Sequence, residues 1–273
     1  MKHNILVIGN GYIATHIKKH FSCHLSKQRI STYKDIEKLI KRYKPNLIIN
    51  CIGHTGKHNV DDCEKVIDKT LLANSFVPIL LLEACLRHSI KLVHISSGCI
   101  FHYNYGKELP IEEDRIPDYY DLFYSRSKIY FENILAQLKD PFNLLNIRIR
   151  IPLNGRPHPK NLLTKLIKYK KIIDAPNSVT YIPDFIKALK HLININAHGT
   201  YNIVLKGGVD YPKLMKAYQE LVPDFQYDVI DLKDLNLKRT NLVLSTRKLE
   251  KTGFKVRTPD EVIKECLAEY VKY

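Results

Sequence analysis

Along the first 150 positions, short continuous apolar runs alternate with longer stretches in which apolar residues recur at helical spacing. Ile5 to Ile8 in "NILVIG" are apolar throughout, as in a strand covered on both faces. The segment then reads as a tight turn and a helix, "NGYIATHIKKHF". "DIEKLIKRYKP" (35–45) is an amphipathic helix that stops at Pro45, and "NLIINCIG" (46–53) is the next buried strand. Residues 54–90 are mostly helical, with Pro78 kinking or dividing the helix. "KLVHISS" (91–97) is a strand, 119–138 a helix, and "FNLLNIRIRIP" (142–152) a strand stopped by Pro152. Strands that alternate with helices predict an α/β fold built on a doubly wound parallel sheet.

Beyond Pro152 the alternation loosens. "LNGRPHPKN" is a Pro/Gly-rich loop before the "LLTKLIKY" helix, and "APNSVTYIPDFIKALKHLI" leads back into a helix. "GTYNIVL" (199–205) has the pattern of a late strand of the main sheet, and helical patterns recur at 211–221 and 260–272. The expected organisation is a main domain of residues 1–152 with about 183–204, and a small, largely C-terminal substrate-binding lobe of 153–182 and 205–273.

Composition adds constraints. At 273 residues and 45% hydrophobic, the chain can bury a large core. No uninterrupted apolar run reaches the roughly 18 residues of a membrane span, and "NILVIG" is too short for a signal peptide. The expectation is a soluble cytoplasmic protein with no membrane partner. Six cysteines without a C-x-x-C pair suit reduced thiols. His54, His58 and Cys63 fit no standard metal spacing, so no metal is expected. The net charge of +15 is spread along the chain with no DNA- or RNA-binding signature. It therefore argues against nucleic acid, leaving codon-driven composition bias and a basic pocket for phosphorylated ligands.

Two motifs carry chemistry. Gly9-Asn10-Gly11-Tyr12-Ile13-Ala14 is a G-x-G-x-x-A turn between strand and helix. Its glycines allow a sharp turn and close approach of a pyrophosphate, which the helix N-terminus favours. This is the fingerprint of a Rossmann-type dinucleotide site. Where an NAD enzyme places a ribose-binding carboxylate, the sequence "SKQRIS" offers Lys27 and Arg29. Two cations suit a 2′-phosphate, so NADPH is expected, with NADH as the alternative. Cys51 and Gly53, at the next strand end, complete the expected cofactor contacts. The second motif is Tyr124-x-x-x-Lys128. Four-residue spacing puts both side chains on one helix face, and an ammonium beside a phenol lowers its pKa from about 10 toward neutrality. Ser97, at a strand end 27 residues upstream, can hold the same substrate oxygen.

Together these motifs resemble the short-chain dehydrogenase/reductases, in their extended, nucleotide-sugar-modifying branch. The segments "TGKHNVDDCE", "GCIF", "FYSRSK", "IRIRIP", "NLLTK", "APNSVT" and "STRKL" occur in order and resemble the bifunctional 3,5-epimerase/4-reductases of UDP-rhamnose synthesis. That group is related to the C-terminal domain of plant rhamnose synthases and to dTDP-4-dehydrorhamnose reductase. The glycine turn here is one residue shorter than the family's usual pattern, and Ala14 replaces its last glycine.

The resemblance implies a substrate, UDP-4-keto-6-deoxyglucose, and site roles. Cys99 and Lys165 would be acid and base for epimerisation at C3 and C5. Ser97 and Tyr124 would grip the C4 oxygen, and Asn74 would support Lys128 through water. Thr55, Gly56 and Asn59 would border the sugar. Arg150, Asn161 and Asn177 are candidate diphosphate or uridine contacts, with helix capping or a turn (Asn161, Asn177) and a surface strand-end arginine (Arg150) as their plain alternatives. A homodimer is compatible with the resemblance. Two other functions stay open: a 4-ketosugar reductase without epimerase activity, and a non-catalytic NADP-binding regulatory subunit.

Overall fold

A computed structural model describes residues 3–138, 143–235 and 238–273. Phe142, the first residue of one expected strand, lies outside them. In chain order the elements are β1 (Ile5–Ile8), α1 (Tyr12–His20), β2 (His24–Ser26), α2 (Tyr33–Tyr43) and β3 (Leu47–Asn50). A 3₁₀ turn (Val60–Lys65) precedes α3 (Ile67–Leu71), a π turn (Leu72–Phe76) and α4 (Val77–Arg87). Then come β4 (Lys91–Ser97), α5 (Phe123–Gln137), β5 (Leu144–Ile149), β6 (Ile151–Leu153), α6 (Leu162–Leu166), β7 (Lys171–Asp174), β8 (Val179–Tyr181), α7 (Ile182–Asn194) and β9 (Gly199–Asn202). The last elements are α8 (Tyr211–Gln219), β10 (Asp228–Asp231), α9 (Arg247–Glu250) and α10 (Pro259–Tyr270).

Six strands form one parallel sheet in the order β2-β1-β3-β4-β5-β9, the doubly wound arrangement the alternation predicts. β1 and β3 pair in parallel from Ile5 with Leu47 to Ile8 with Asn50, and every residue of both strands is buried. That is why their sequences carry no polar alternation. "GTYNIVL" supplies the edge strand β9. The expected strand 142–152 is divided into β5 and β6, with Pro152 inside β6, and the short strands β2, β7, β8 and β10 leave no pattern in the sequence. Each has only three or four residues, too few to display a period.

The chain divides into two compact units. The first comprises residues 1–100, 116–148 and 193–201, and the second 101–115, 149–192 and 202–273. The expected boundary at 152 thus shifts to 148–149. Residues 101–115, which carry no strong periodic signal, belong to the second unit, as do residues 183–192. In the first unit, α2 lays Ile36, Leu39 and Ile40 against Leu6, Ile8 and Ile48 of the sheet and Leu81 of α4. Asp35 and Thr32 start α2 with a reciprocal capping box. The second unit has its own core, in which Leu162, Leu163 and Leu166 of α6 join Leu214 and Met215 of α8 and Val262 and Cys266 of α10. Its strands pair as β10-β7 and β6-β8, both parallel.

The helical stretch Ile67–Arg87 runs 21 residues without a break. By length and mean hydropathy it could cross a membrane, although charged residues such as Asp68, Lys69 and Glu83 interrupt its apolar run. The π turn comes just before Pro78 and joins the two segments that Pro78 was expected to separate. Half of its most apolar window is buried in the protein, as in a core helix.

At the β1–α1 turn, Gly9 has φ +126°, and a Cβ there would stand 3.0 Å from the Cys51 carbonyl carbon. Gly11, the N-cap of α1, has an ordinary φ of −79° and open space around it. Gly9→Ala is therefore expected to cost about 1–3 kcal/mol in urea unfolding, and Gly11→Ala less than about 1 kcal/mol. Equal losses would show that the turn does not depend on the backbone of residue 9.

Candidate active site

The carboxyl ends of β1 to β4 carry most of the expected site residues, the edge where such sheets bind ligands. β1 ends at the glycine turn. There Gly9 N–H donates to Ser26 O at 3.0 Å, and Ala14 is fully buried beneath the helix start. The first turn of α1 contains no acidic side chain, so its N-terminal dipole is open to an anion. Asn10 is exposed, and Tyr12 and Ile13 are half-buried. Lys27 and Arg29 follow the end of β2 and are exposed. Cys51, after β3, donates its N–H to Ile8 O, and burial pushes its thiol far above the ordinary range. It contributes backbone shape, not thiolate chemistry. These features fit a dinucleotide: a cradle without side chains, a helix terminus and two cations.

On α5, Tyr124 and Lys128 are both nearly buried. A Cβ on Gly53 would stand 3.4 Å from Lys128 Nζ and 3.5 Å from Asn74 Oδ1. Gly53 thus lies beside the lysine, within ordinary contact distance. Burial pushes the Lys128 ammonium down to about 8, against the opposing pull of Glu132 first, then the Cys63 and Cys99 sulfurs. The neighbouring His94 is buried with Nδ1 3.0 Å from Asn50 Nδ2. Burial, then the Lys128 charge, holds it well below the usual imidazole range, so it is neutral.

Cys99 lies in the turn after β4. Its N–H donates to Ser97 Oγ at 3.1 Å, and its carbonyl accepts from Ser125 Oγ at 2.6 Å. These two bonds tie the turn to the strand end below and to the first turn of α5. The half-buried Cys99 packs on the patch formed by Cys63, Phe123 and Tyr124. Ser97, Cys99, Tyr124 and Lys128 therefore lie in one unit and come from two stretches of chain, 97–99 and 124–128.

Asn74 sits in the π turn with its side chain fully engaged. Oδ1 accepts from His54 N–H at 2.8 Å, while Nδ2 donates to His54 O at 3.0 Å and Ser127 Oγ at 2.9 Å. It pins the loop after β3 to α5 at Ser127, the residue before Lys128. A π turn is a known mark of functional sites, and residue spacing alone gives no sign of one.

The loop 53–62 has a local logic as well. Gly56 has φ +72°, and a Cβ would collide with Asn59 O. Asn59 caps the 3₁₀ turn by accepting from Asp61 N–H at 2.9 Å. Thr55 is half-buried. Glu64, which the sequence reading leaves without a role, accepts from Phe123 N–H at 2.6 Å at the start of α5 and pairs with Arg126 at 3.5 Å. "NVDDCE" and "FYSRSK" are thereby joined: one supplies the cap and Cys63, the other the helix they hold.

The remaining candidates belong to the second unit. Lys165 is half-buried on α6. Asn161, Asn177 and Arg150, expected as ligand contacts, each make hydrogen bonds within the second unit. Asn161 caps α6, accepting from Leu163 N–H and Asn154 N–H and donating to the carbonyls of Asn154 and Arg156. Asn177 accepts from Arg150 Nη2 at 2.6 Å and Leu242 N–H, and donates to Asn241. Arg150 also binds Thr240 through its hydroxyl and carbonyl. All three are nearly or fully buried, so their polarity serves buried backbone and one another. Among the described residues, no three His, Cys, Asp or Glu side chains are placed to hold a metal.

The RmlD substrate-binding-domain model matches residues 4–174. The chain belongs to the RmlD family of sugar-nucleotide reductases. It is 29% identical over 252 residues to the bifunctional dTDP-4-dehydrorhamnose 3,5-epimerase/dTDP-4-dehydrorhamnose reductase of Arabidopsis thaliana, covering 90% of this chain and 81% of that protein. It spans 38% of the longer trifunctional rhamnose-forming proteins of the same plant that it also matches. In fold it is similar to the L780 UDP-rhamnose synthase of Acanthamoeba polyphaga mimivirus, at TM-score 0.90 and 23% identity over 98% of this chain and 100% of the other. The dTDP-4-dehydrorhamnose reductase of Bacillus anthracis, solved in complex with NADP, gives TM-score 0.80 at 18% identity over 100% and 99%.

If Asn161 is a cap, Asn161→Ala should lower unfolding stability by about 2–4 kcal/mol and leave the KM of a nucleotide sugar unchanged. A stable variant with raised KM would return Asn161 to the ligand.

Proposed function

We propose that this RmlD-family chain epimerises UDP-4-keto-6-deoxy-D-glucose at C3 and C5 and reduces C4 with NADPH, giving UDP-β-L-rhamnose. The observation that carries the reading is the shared patch of thiol and phenol. Ser125 holds the Cys99 carbonyl one residue from Tyr124, and Cys99 packs beside that phenol. The likeness to the Arabidopsis bifunctional enzyme and the NADP in the Bacillus anthracis reductase support it.

A ketone acidifies the C–H bonds on either side of it, because the resulting charge spreads onto the carbonyl oxygen. Cys99 takes the proton from carbon, and Ser97 and Tyr124 donate hydrogen bonds to the oxygen that becomes negative. Ser97 Oγ already accepts from Cys99 N–H, so its hydroxyl proton is available to that oxygen. Resemblance assigns the opposing acid to Lys165. NADPH, when bound, supplies the hydride that C4 receives. Tyr124 gives its phenolic proton to the C4 oxygen, and the Lys128 ammonium lowers the phenol's pKa for that transfer. The glycine turn and α1 hold the pyrophosphate, with Lys27 and Arg29 at the 2′-phosphate.

The test is incubation with NADPH and the UDP- or dTDP-linked 4-keto-6-deoxyglucose, with the product identified by NMR. UDP-β-L-rhamnose is expected; a reduced but unepimerised sugar would leave a simple reductase. Cys99→Ala should abolish solvent deuterium uptake at C3 and C5 yet still reduce a pre-epimerised ketosugar. Persistent uptake would make the thiol structural. Tyr124→Phe should slow NADPH oxidation by about two to four orders of magnitude, and near-normal rates would overturn its role as the acid. Lys128 is an ammonium below a pH of about 8 and an amine above it. Reduction should therefore decline as pH rises through about 8, and a rate that stays level to pH 10 would remove Lys128 from proton transfer.

A further inference from the structure

Behind the catalytic stripe lies a buried polar cluster that the mechanism above does not use. Glu132 is four residues beyond Lys128 and eight beyond Tyr124, so all three share one face of α5. Its carboxylate is almost sealed from solvent and fully engaged. Oε1 accepts from Ser96 Oγ at 2.6 Å, Asn146 Nδ2 at 3.0 Å and Arg148 Nε at 3.3 Å. Oε2 accepts from Arg148 Nη2 at 2.8 Å and Nε at 3.3 Å. The Glu132 and Arg148 side chains are 3% and 4% exposed.

Such a pair is a poor way to gain stability. Two charges lose their hydration, and a well-packed apolar pair often serves as well. Its position suggests a different use. Ser96 immediately precedes Ser97 on β4, Asn146 and Arg148 lie on β5, and Glu132 is on the helix that carries the phenol and the lysine. One carboxylate thus fastens together the strand end and the helix that supply the reacting groups.

We propose that Glu132 is a positioning residue for the Tyr124–Lys128 pair, the buried counter-charge one helical turn from the lysine that also holds the Ser97-bearing strand end against α5. The inference rests on the proposed function for what Lys128 does, but the electrostatic part stands without turnover. Burial pushes the Glu132 carboxyl up, and the Arg148 charge with the bonds from Arg148, Ser96 and Asn146 more than reverses that push, so it stays ionised. Of the charged groups acting on Lys128, Glu132 is the strongest. The other titratable groups facing that ammonium are Tyr124 on its own helix, Cys63 from the 3₁₀ turn, Cys99 from the turn after β4 and His94 from β4. His94 is neutral, and Glu132 is the carboxylate among them.

The experiment follows the Lys128 Nζ by NMR in ¹⁵N-lysine-labelled full-length protein. The signal is assigned with Lys128→Met, and no substrate is present. Glu132→Gln alone would strand the Arg148 charge, so the informative variant is Glu132→Gln/Arg148→Met, which removes the pair in a charge-balanced way. The Lys128 midpoint is expected to fall by about one pH unit. The high-pH limb of kcat/KM for NADPH oxidation should move with it, at unchanged KM for NADPH. A folded double variant with the wild-type midpoint and pH profile would reduce the pair to a packing role and overturn the proposal.

Glu132→Asp guards against a double variant that does not fold. It keeps the charge and withdraws the carboxylate by one methylene, so a smaller downward shift is expected, and no shift overturns the proposal equally. Failure of the wild type to turn over any 4-ketosugar nucleotide would sink the proposed function while leaving the Lys128 midpoint as a separate result.

Discussion

A single carboxylate on α5 is bound by groups from two neighbouring strands, β4 and β5, and the placement of Ser97, Tyr124 and Lys128 follows from that constraint. Glu132 cannot leave its pocket without stranding Arg148, and Arg148 cannot turn without abandoning β5. Ser96 is drawn to the same oxygen, which fixes the height of the β4 end relative to α5. On the far side of the helix start, Glu64 caps the backbone at Phe123. With one acid held at Phe123 and another nine residues on, at Glu132, α5 is fastened at two points along its length. The phenol, the ammonium and the thiol-bearing turn inherit that rigidity.

Much of this arrangement is legible in the sequence. The buried parallel strands announce themselves through unbroken apolar runs such as 47–49, and the glycine turn through its place between a strand and a helix. Tyr124 and Lys128 are readable from spacing, and Ser97 from its strand-end position. Cys99 is different. A thiol after a strand end is an ordinary core residue by pattern, and only the surrounding motif singles it out. Its half-exposed place beside Tyr124 is a property of the fold.

What the sequence conceals has a common cause. Asn161, Asn177 and Arg150 look like ligand contacts because polar residues in loops usually face solvent or substrate. Here the loops are folded over themselves, and those side chains satisfy buried carbonyls and amides. Glu64 and Glu132 are hidden in the opposite way. Each sits in a charged helical or turn segment where a carboxylate is unremarked, and its importance comes from partners 59 and 16 residues away. The short strands β7, β8 and β10 escape because three or four residues cannot show a period.

The π turn at Leu72–Phe76 has a consequence for how this chain can change by insertion and deletion. A π turn is an α-helix with one residue too many, held open by the packing around it. Removing one residue there would restore regular winding and rotate everything before it against everything after it by about 100°. Asn74 could no longer face His54 while Leu81 faced the core. The residue count of the helix through this turn is therefore locked.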